Sequence, residues 1–246
     1  MWSEIGLLLP LFFLIAFFYA AAGFGGGSSY LAVLSLFSIE FTTLRILALL
    51  CNITVVSGSV LLFYRTGRLR VRRVFPLTVL SVPFAYWGGT LRINEQFFSV
   101  LLGCALSAAA LLMFVRPVRA NKKFPVGINT LIGSGIGFLS GLVGIGGGIF
   151  LSPLLYLTGW GKAKEIAGCT AFFILVNSAA GLVGQTVTHG FAADATSAFT
   201  LMCAVFIGGQ LGVRLTVFRL NPGAVKKITA LLILPVALRL LAKSFI

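Results

Sequence analysis

Charge is what this sequence has least of. Only 10% of its 246 residues are charged, five of them are acids, and 59% are hydrophobic. Soluble domains carry about 25% charged residues, so a water-surrounded enzyme with an ordinary surface is excluded. Histidine occurs once, at His189, and the four cysteines, Cys51, Cys104, Cys169 and Cys203, show no Cys-x-x-Cys spacing and no neighbouring histidine. That inventory offers no metal cluster and no disulfide framework. Thiols inside apolar runs read as small packing residues. The carboxylates all fall near the ends of apolar runs, which leaves no acid–base pair for chemistry within a membrane. The chain therefore reads as a non-enzyme that needs no cofactor. No Gly-x-x-x-x-Gly-Lys-Ser/Thr loop occurs, which removes ATP as a direct energy source. The opening Met1-Trp2-Ser3-Glu4 lacks a positive n-region, so a cleaved signal peptide is not expected.

Long charge-free stretches are what the sequence has in quantity, and the mean hydropathy is +1.06. A membrane helix needs roughly 20 apolar residues. Such runs cover 5–39, 46–64, 74–91, 96–115, 124–161, 166–193 and 195–213. A shorter run, 228–238, is flanked by Lys226, Lys227, Arg239 and Lys243, whose side chains can snorkel to the surface. Two runs are too long for one helix and too short for two. Both contain a glycine cluster, Gly23-Phe24-Gly25-Gly26-Gly27 and Gly144-Ile145-Gly146-Gly147-Gly148. Each glycine costs a helix about 1 kcal/mol relative to alanine. Each long run is therefore expected to be a full helix, a break and a short returning helix, over 28–39 and 149–157. The expected fold is an all-α polytopic membrane protein of ten elements, two of them short.

A net charge of +14 would suggest nucleic acid, but a nucleic-acid face needs its basic residues together on a wet surface, and here apolar runs separate them. The charge is better read as topology. Alternating ten elements places Arg65, Arg68, Arg70, Arg72, Arg73, Arg116, Arg119, Lys122, Lys123, Lys162, Lys164, Arg214, Arg219, Lys226 and Lys227 on one side, with Glu165 alone against them. The other side holds Arg45, Arg92, Arg239 and Lys243 against Glu4, Glu40, Glu95 and Asp194. The expectation is a multi-pass protein of the cytoplasmic (inner) membrane with both termini outside.

Five elements fall on each side of the basic loop 116–123, and the halves 1–118 and 119–246 resemble each other. Gly25 pairs with Gly146, 121 positions later, Asn52 with Asn177, Thr66-Gly67 with His189-Gly190, and Gly88-Gly89 with Gly208-Gly209. The loop after Thr66-Gly67 carries four arginines, whereas Phe191, Ala193, Ala195 and Thr196 follow His189-Gly190. Equivalent loops of opposite charge character belong on opposite sides of a membrane, which makes the chain two inverted repeats of the kind found in secondary transporters.

The paired clusters Ala22-Gly23-Phe24-Gly25-Gly26-Gly27 and Gly141-Leu142-Val143-Gly144-Ile145-Gly146-Gly147-Gly148, with Lys162-Ala163-Lys164-Glu165-Ile166-Ala167-Gly168-Cys169-Thr170, resemble the sulfite exporter TauE/SafE family. The resemblance runs from about residue 5 to residue 241. In the first half Thr43-Leu44-Arg45-Ile46-Leu47-Ala48 departs from the Lys-Ala-x-Ala-Thr type of pattern. The resemblance implies movement of sulfur-containing anions such as sulfite, sulfoacetate or other organosulfonates.

The residues lead to an anion without the family. A helix that begins within the membrane exposes backbone N–H groups that lipid cannot satisfy, and its N-terminus carries about half a positive charge. A small anion satisfies both needs. The candidate binding residues are Gly25, Gly26, Gly27, Ser28 and Ser29 at the first tip and Gly146, Gly147 and Gly148 at the second, with the amides of Asn52 and Asn177. Against this stands the packing role of membrane glycines and the use of asparagine as interhelical glue. Gln185 and Gln210 are weaker candidates, and Thr54 and Thr170 are expected to bond their own backbone. His189 reads as a loop residue. The expected partners are a small anionic substrate and the bilayer, with no nucleic acid, and a homodimer is compatible with the sequence. The leading reading is a secondary transporter working by alternating access; the alternatives are an anion channel or a transporter of a non-sulfur anion.

Overall fold

The computed structural model describes residues 2–91 and 126–218, apart from 36 and 38, with scattered positions between 94 and 107. Most of the expected span 96–115, the basic loop 116–123 and the run 228–238 with its flanking cations lie outside the described residues. Among the described residues there are nine helices and no strand. They are α1 (Trp2–Ala21), α2 (Gly27–Leu34), α3 (Phe41–Arg65), α4 (Val71–Thr78), α5 (Ser81–Thr90), α6 (Val126–Val143), α7 (Gly148–Leu157), α8 (Ala163–His189) and α9 (Ala195–Phe218). Three stretches, Phe41–Arg65, Ala163–His189 and Ala195–Val217, are long and apolar enough to cross a membrane, and Gly6–Ala21, Gly127–Val143 and Gly148–Leu157 are shorter apolar helices. The 25 residues of α3 reach about 37 Å at 1.5 Å per residue, more than a hydrocarbon core of roughly 30 Å.

One expected span is corrected. The run 74–91 is not a single helix but α4 and α5, separated at Val79 and Leu80. Pro83 has no N–H for the carbonyl of Val79, and its ring crowds that carbonyl, so the helix stops and restarts. Arg45, counted on the outer side, is buried there and not exposed. It lies within α3 and is 2% exposed.

Both breaks fall where the glycines put them and use the same backbone grammar. After α1, Gly23 has φ +82°, its N–H bonds to the Ala20 carbonyl at 3.0 Å, and the Phe24 N–H reaches back to Tyr19 at 2.8 Å. After α6, Gly144 has φ +79°, and the N–H groups of Gly144 and Ile145 both return to the Ser140 carbonyl. A left-handed glycine is the usual way to close a helix C-terminus. The next helix then starts from another left-handed glycine, Gly26 before α2 and Gly147 before α7, and the second break has one more than the first, at Gly146.

Helices α3 and α8 lie against each other at the centre, and the remaining packing is reciprocal. The first helix, α1, packs on α9; α6 packs on α4 and α5. Helix α9 also packs on α3, and α5 on α8. Each short helix lies on the long helix that follows it, α2 on α3 and α7 on α8. Small residues bring these helices into backbone contact. A Cβ at Gly133, Gly137 or Gly141 of α6 would run into the carbonyl oxygens of Leu77, Ser81 and Ala85, one turn apart on the facing chain. Gly208 and Gly212 of α9 meet Phe13 and Phe17 of α1 in the same way. Lipid gives apolar helices little reason to associate, so close approach of this kind is what holds them.

The two ends of the bundle differ in charge. At one end Arg70 pairs with Glu165 at 2.7 Å, Arg73 donates to the Trp160 carbonyl and stacks over its ring at 4.3 Å, and Lys164 donates to the Val217 carbonyl. That end gathers Arg65, Arg68, Arg70, Arg72, Arg73, Lys162, Lys164 and Arg214 with Glu165 as the acid among them. At the other end Thr43 donates to the Ala192 carbonyl and Gln185 to that of Thr42. There Asp194 caps α9, accepting the Ser197 N–H and hydroxyl, and these hydrogen bonds hold its carboxyl below the usual range. With the four native cysteines replaced, Arg70→Cys should stay unlabelled by an impermeant thiol reagent in intact cells, while Ala192→Cys reacts. The opposite pattern would overturn the orientation that the basic residues imply.

Candidate functional site

The two breaks meet on α3. Asn52 is fully buried, and both faces of its amide are committed. Its Oδ1 accepts the Gly27 N–H, the first of α2, at 2.8 Å. Its Nδ2 donates to the carbonyl of Ile145, in the second break, at 2.9 Å. These partners fix which way the amide points, since the reverse assignment would set donor against donor. Gly25, Gly27 and Gly146 are needed here because the Asn52 side chain occupies the space a Cβ would take at Gly25 and Gly27 and approaches that space at Gly146. Asn52 is thus a brace between two broken helices, one of them reached through Ile145, 93 residues further along the chain.

Asn177, its expected counterpart, is equally buried but arranged otherwise. Its Nδ2 donates to Phe173 of its own helix at 2.8 Å, and its Oδ1 has no partner. The second tip is correspondingly rich in unpaired donors. The N–H groups of Gly146, Gly147, Gly148 and Ile149 have no acceptor among the described residues, while Phe150 and Leu151 bond to Gly147. One face of α8, with Thr170, Ile174 and Ser178 a turn apart, lies along this break: Ser178 and Ile174 fill the space beside Gly146, and Ile174 and Thr170 that beside Gly148. The hydroxyls of Thr170 and Ser178 are buried and unpartnered, as is that of Ser140. Buried polar groups are nearly always paired, and these hydroxyls and N–H groups are concentrated at one break.

The first tip has hydroxyls of its own. Ser29 donates to the Tyr19 hydroxyl at 2.7 Å, whereas Ser28 and Tyr30 are buried without partners. The N–H groups of Gly25, Gly26 and Ser28 likewise lack an acceptor among the described residues. Among the described residues no aspartate or glutamate enters either tip.

Sequence reasoning missed several of these groups. Thr54 does bond its own backbone, at Leu50, but Thr170 does not. Ser178 stands next to Asn177 without a motif to distinguish it. Arg45 was the larger omission. Its Nη2 donates to the carbonyls of Gly141 and Leu142 at 3.0 and 2.8 Å. These belong to the last turn of α6, whose carbonyls the break leaves without helical partners and whose dipole end is negative. The position of Arg45 in the segment that departs from the expected pattern was the one available signal. Gln185 reaches the Thr42 carbonyl, and Gln210 packs over Gly58 with its Nε2 unpartnered, so neither lies at a tip.

These features define a polytopic helical membrane protein with two glycine-broken helices joined at one buried amide. The chain belongs to the sulfite exporter TauE/SafE family, whose model matches residues 8–240, and it is accordingly a membrane transporter. It is similar, at 30% identity over 97% of this chain and 98% of the relative, to the "probable membrane transporter protein y4hK" of Sinorhizobium fredii (strain NBRC 101917 / NGR234). No solved structure matches it.

Asn52→Ala should lower thermal stability in detergent by about 2 kcal/mol or more, because it leaves the Gly27 N–H and the Ile145 carbonyl buried and unpaired at about 1–3 kcal/mol each. Thr54→Val, on the same helix, should change little. Equal melting of the two variants would remove the bracing role.

Proposed function

We propose that the protein is a secondary transporter that moves small sulfur-containing anions, such as sulfite, sulfoacetate or other organosulfonates, across the cytoplasmic membrane by alternating access. The two halves are taken as inverted repeats with both termini outside. The reciprocal packing of α1 on α9 and of α6 on α4 and α5 favours this, as does the shared grammar of the two breaks. The anion is held at the helix starts Gly25–Ser29 and Gly146–Gly148, beside Asn52 and Asn177. The observation that carries the reading is the collection of buried N–H and hydroxyl donors, free of acids, at two helix N-termini within the apolar interior.

The chemistry suits an oxyanion. Three oxygens of a sulfite or sulfonate group accept several hydrogen bonds at once, and neutral donors bind the charge without a second buried ion. The positive ends of α2 and α7 supply the electrostatic term. Donors from Ser178 and Thr170 complete the second tip.

Uptake of radiolabelled sulfite or sulfoacetate into proteoliposomes tests this. A transporter saturates with substrate and shows counterflow; a channel does neither. Ser178→Ala and Thr170→Val should each raise the dissociation constant for the transported anion about 10- to 150-fold, the loss expected when one hydrogen bond to a charged group, worth about 1.5–3 kcal/mol, is removed. Unchanged binding in both would remove the α8 face from the site.

A further inference from the structure

The two asparagines are in different states, and the difference has a pattern. Phe24 and Gly27 in the first break correspond to Ile145 and Gly148 in the second, each pair 121 positions apart. Asn52 bridges the Gly27 N–H of its own half to the Ile145 carbonyl of the other half. The same brace drawn from Asn177 would run from the Gly148 N–H to the Phe24 carbonyl. Of the four atoms that brace needs, three are unused. Asn177 Oδ1 is buried and unpartnered, and the Gly148 N–H and the Phe24 carbonyl have no partner among the described residues. Meanwhile Asn177 Nδ2 is parked on Phe173 of its own helix. One brace is made and its counterpart is unmade.

We infer that Asn52 and Asn177 are positioning residues that exchange roles during transport: one conformation is held by the Asn52 brace, the other by an Asn177 brace between Gly148 N–H and Phe24 C=O. The inference rests on the two-copy reading of the chain and goes beyond it by naming the hydrogen bonds that differ between the two conformations. Exchange costs little because each conformation makes the same kind of bonds, with the Asn52-braced one the more populated without substrate. Two conformations related by an internal two-fold are close in energy, which a protein that must visit both needs. Each brace takes the first N–H of one short helix and a carbonyl of the other break. In the conformation seen here the first N–H of α2 is held and that of α7 is not.

The inference predicts opposite effects from chemically identical substitutions. Ser28, next to the locked Gly27, is fully buried, and the brace holds it so. With native cysteines replaced, the reporter Ser28→Cys should react with a small maleimide only through the conformation in which the Asn52 brace is broken. Asn52→Ala should speed this reaction about 5- to 30-fold, and Asn177→Ala should slow it by a similar factor, the population shifts that one or two net hydrogen bonds give. The double variant should return toward the parent rate. Asn177→Ala breaks no hydrogen bond between helices in the conformation seen, so it remains informative if Asn52→Ala folds poorly. Changes of the same sign in both single variants, or no change in Asn177→Ala, would overturn the exchange. The labelling uses no substrate. Its failure, in a protein whose unsubstituted parent transports sulfite, would therefore sink the brace exchange alone. The expected labelling pattern in a protein that moves none of the anions tested would sink the substrate reading and leave the exchange standing.

Discussion

A peptide group in hydrocarbon must find a partner, and this structure is organised around two places where a helix gives that up. At the ends of α1 and α6 the intrahelical ladder stops inside an apolar bundle, stranding carbonyls on one side of each break and N–H groups on the other. The protein answers with dedicated groups. Left-handed Gly23 and Gly144 fold the chain back onto the last carbonyls, Arg45 takes the carbonyls of Gly141 and Leu142, and Asn52 takes one group from each break. What is left after this accounting is mostly donors, the N–H and hydroxyl groups at the tips, beside two acceptors, Asn177 Oδ1 and the Phe24 carbonyl. The donors left unpaired at the tips are what an anion would use.

The rest of the bundle serves to hold these breaks at fixed separation. Helices α3 and α8 carry the two asparagines and pack on each other, while glycine ladders on α6 and α9 let the outer helices approach until backbone touches backbone. Such contacts depend on shape alone and impose no polar demands on the centre. Charge is kept at the ends, where Arg70 with Glu165 and Arg73 with Trp160 tie the segment after α3 to the start of α8. A buried Arg45 is the exception, and its two carbonyl bonds to a broken helix end explain why it is tolerated.

Much of this was legible in the sequence. Two glycine clusters 121 positions apart forced two breaks, and the short helices begin within one residue of where those clusters end. The basic residues marked one end of the bundle before any helix was placed. Pro83 carried the division of the run 74–91, but hydropathy alone does not register a missing N–H. The rest depended on distances that spacing cannot give. Nothing in the first half announces that Asn52 reaches Ile145, nor that Arg45 turns inward to a helix end in the second half. Likewise, Asn52 and Asn177 match in sequence, yet one is saturated and the other is not. Pattern reports equivalence between halves; it does not report which half is engaged.

The account stands on the unequal pairing of the two helix starts and on an anion as the missing acceptor. Hydrogen–deuterium exchange resolved to the peptides covering Gly27 and Gly146–Ile149, with and without sulfite, measures both at once. The amide of Gly27, held by Asn52 in the conformation seen, should be the better protected without sulfite, whereas those of Gly146–Ile149 should exchange faster and become protected as sulfite is added. Equal protection of the two tips without sulfite, or exchange at Gly146–Ile149 that ignores sulfite, sulfoacetate and other organosulfonates alike, would contradict it.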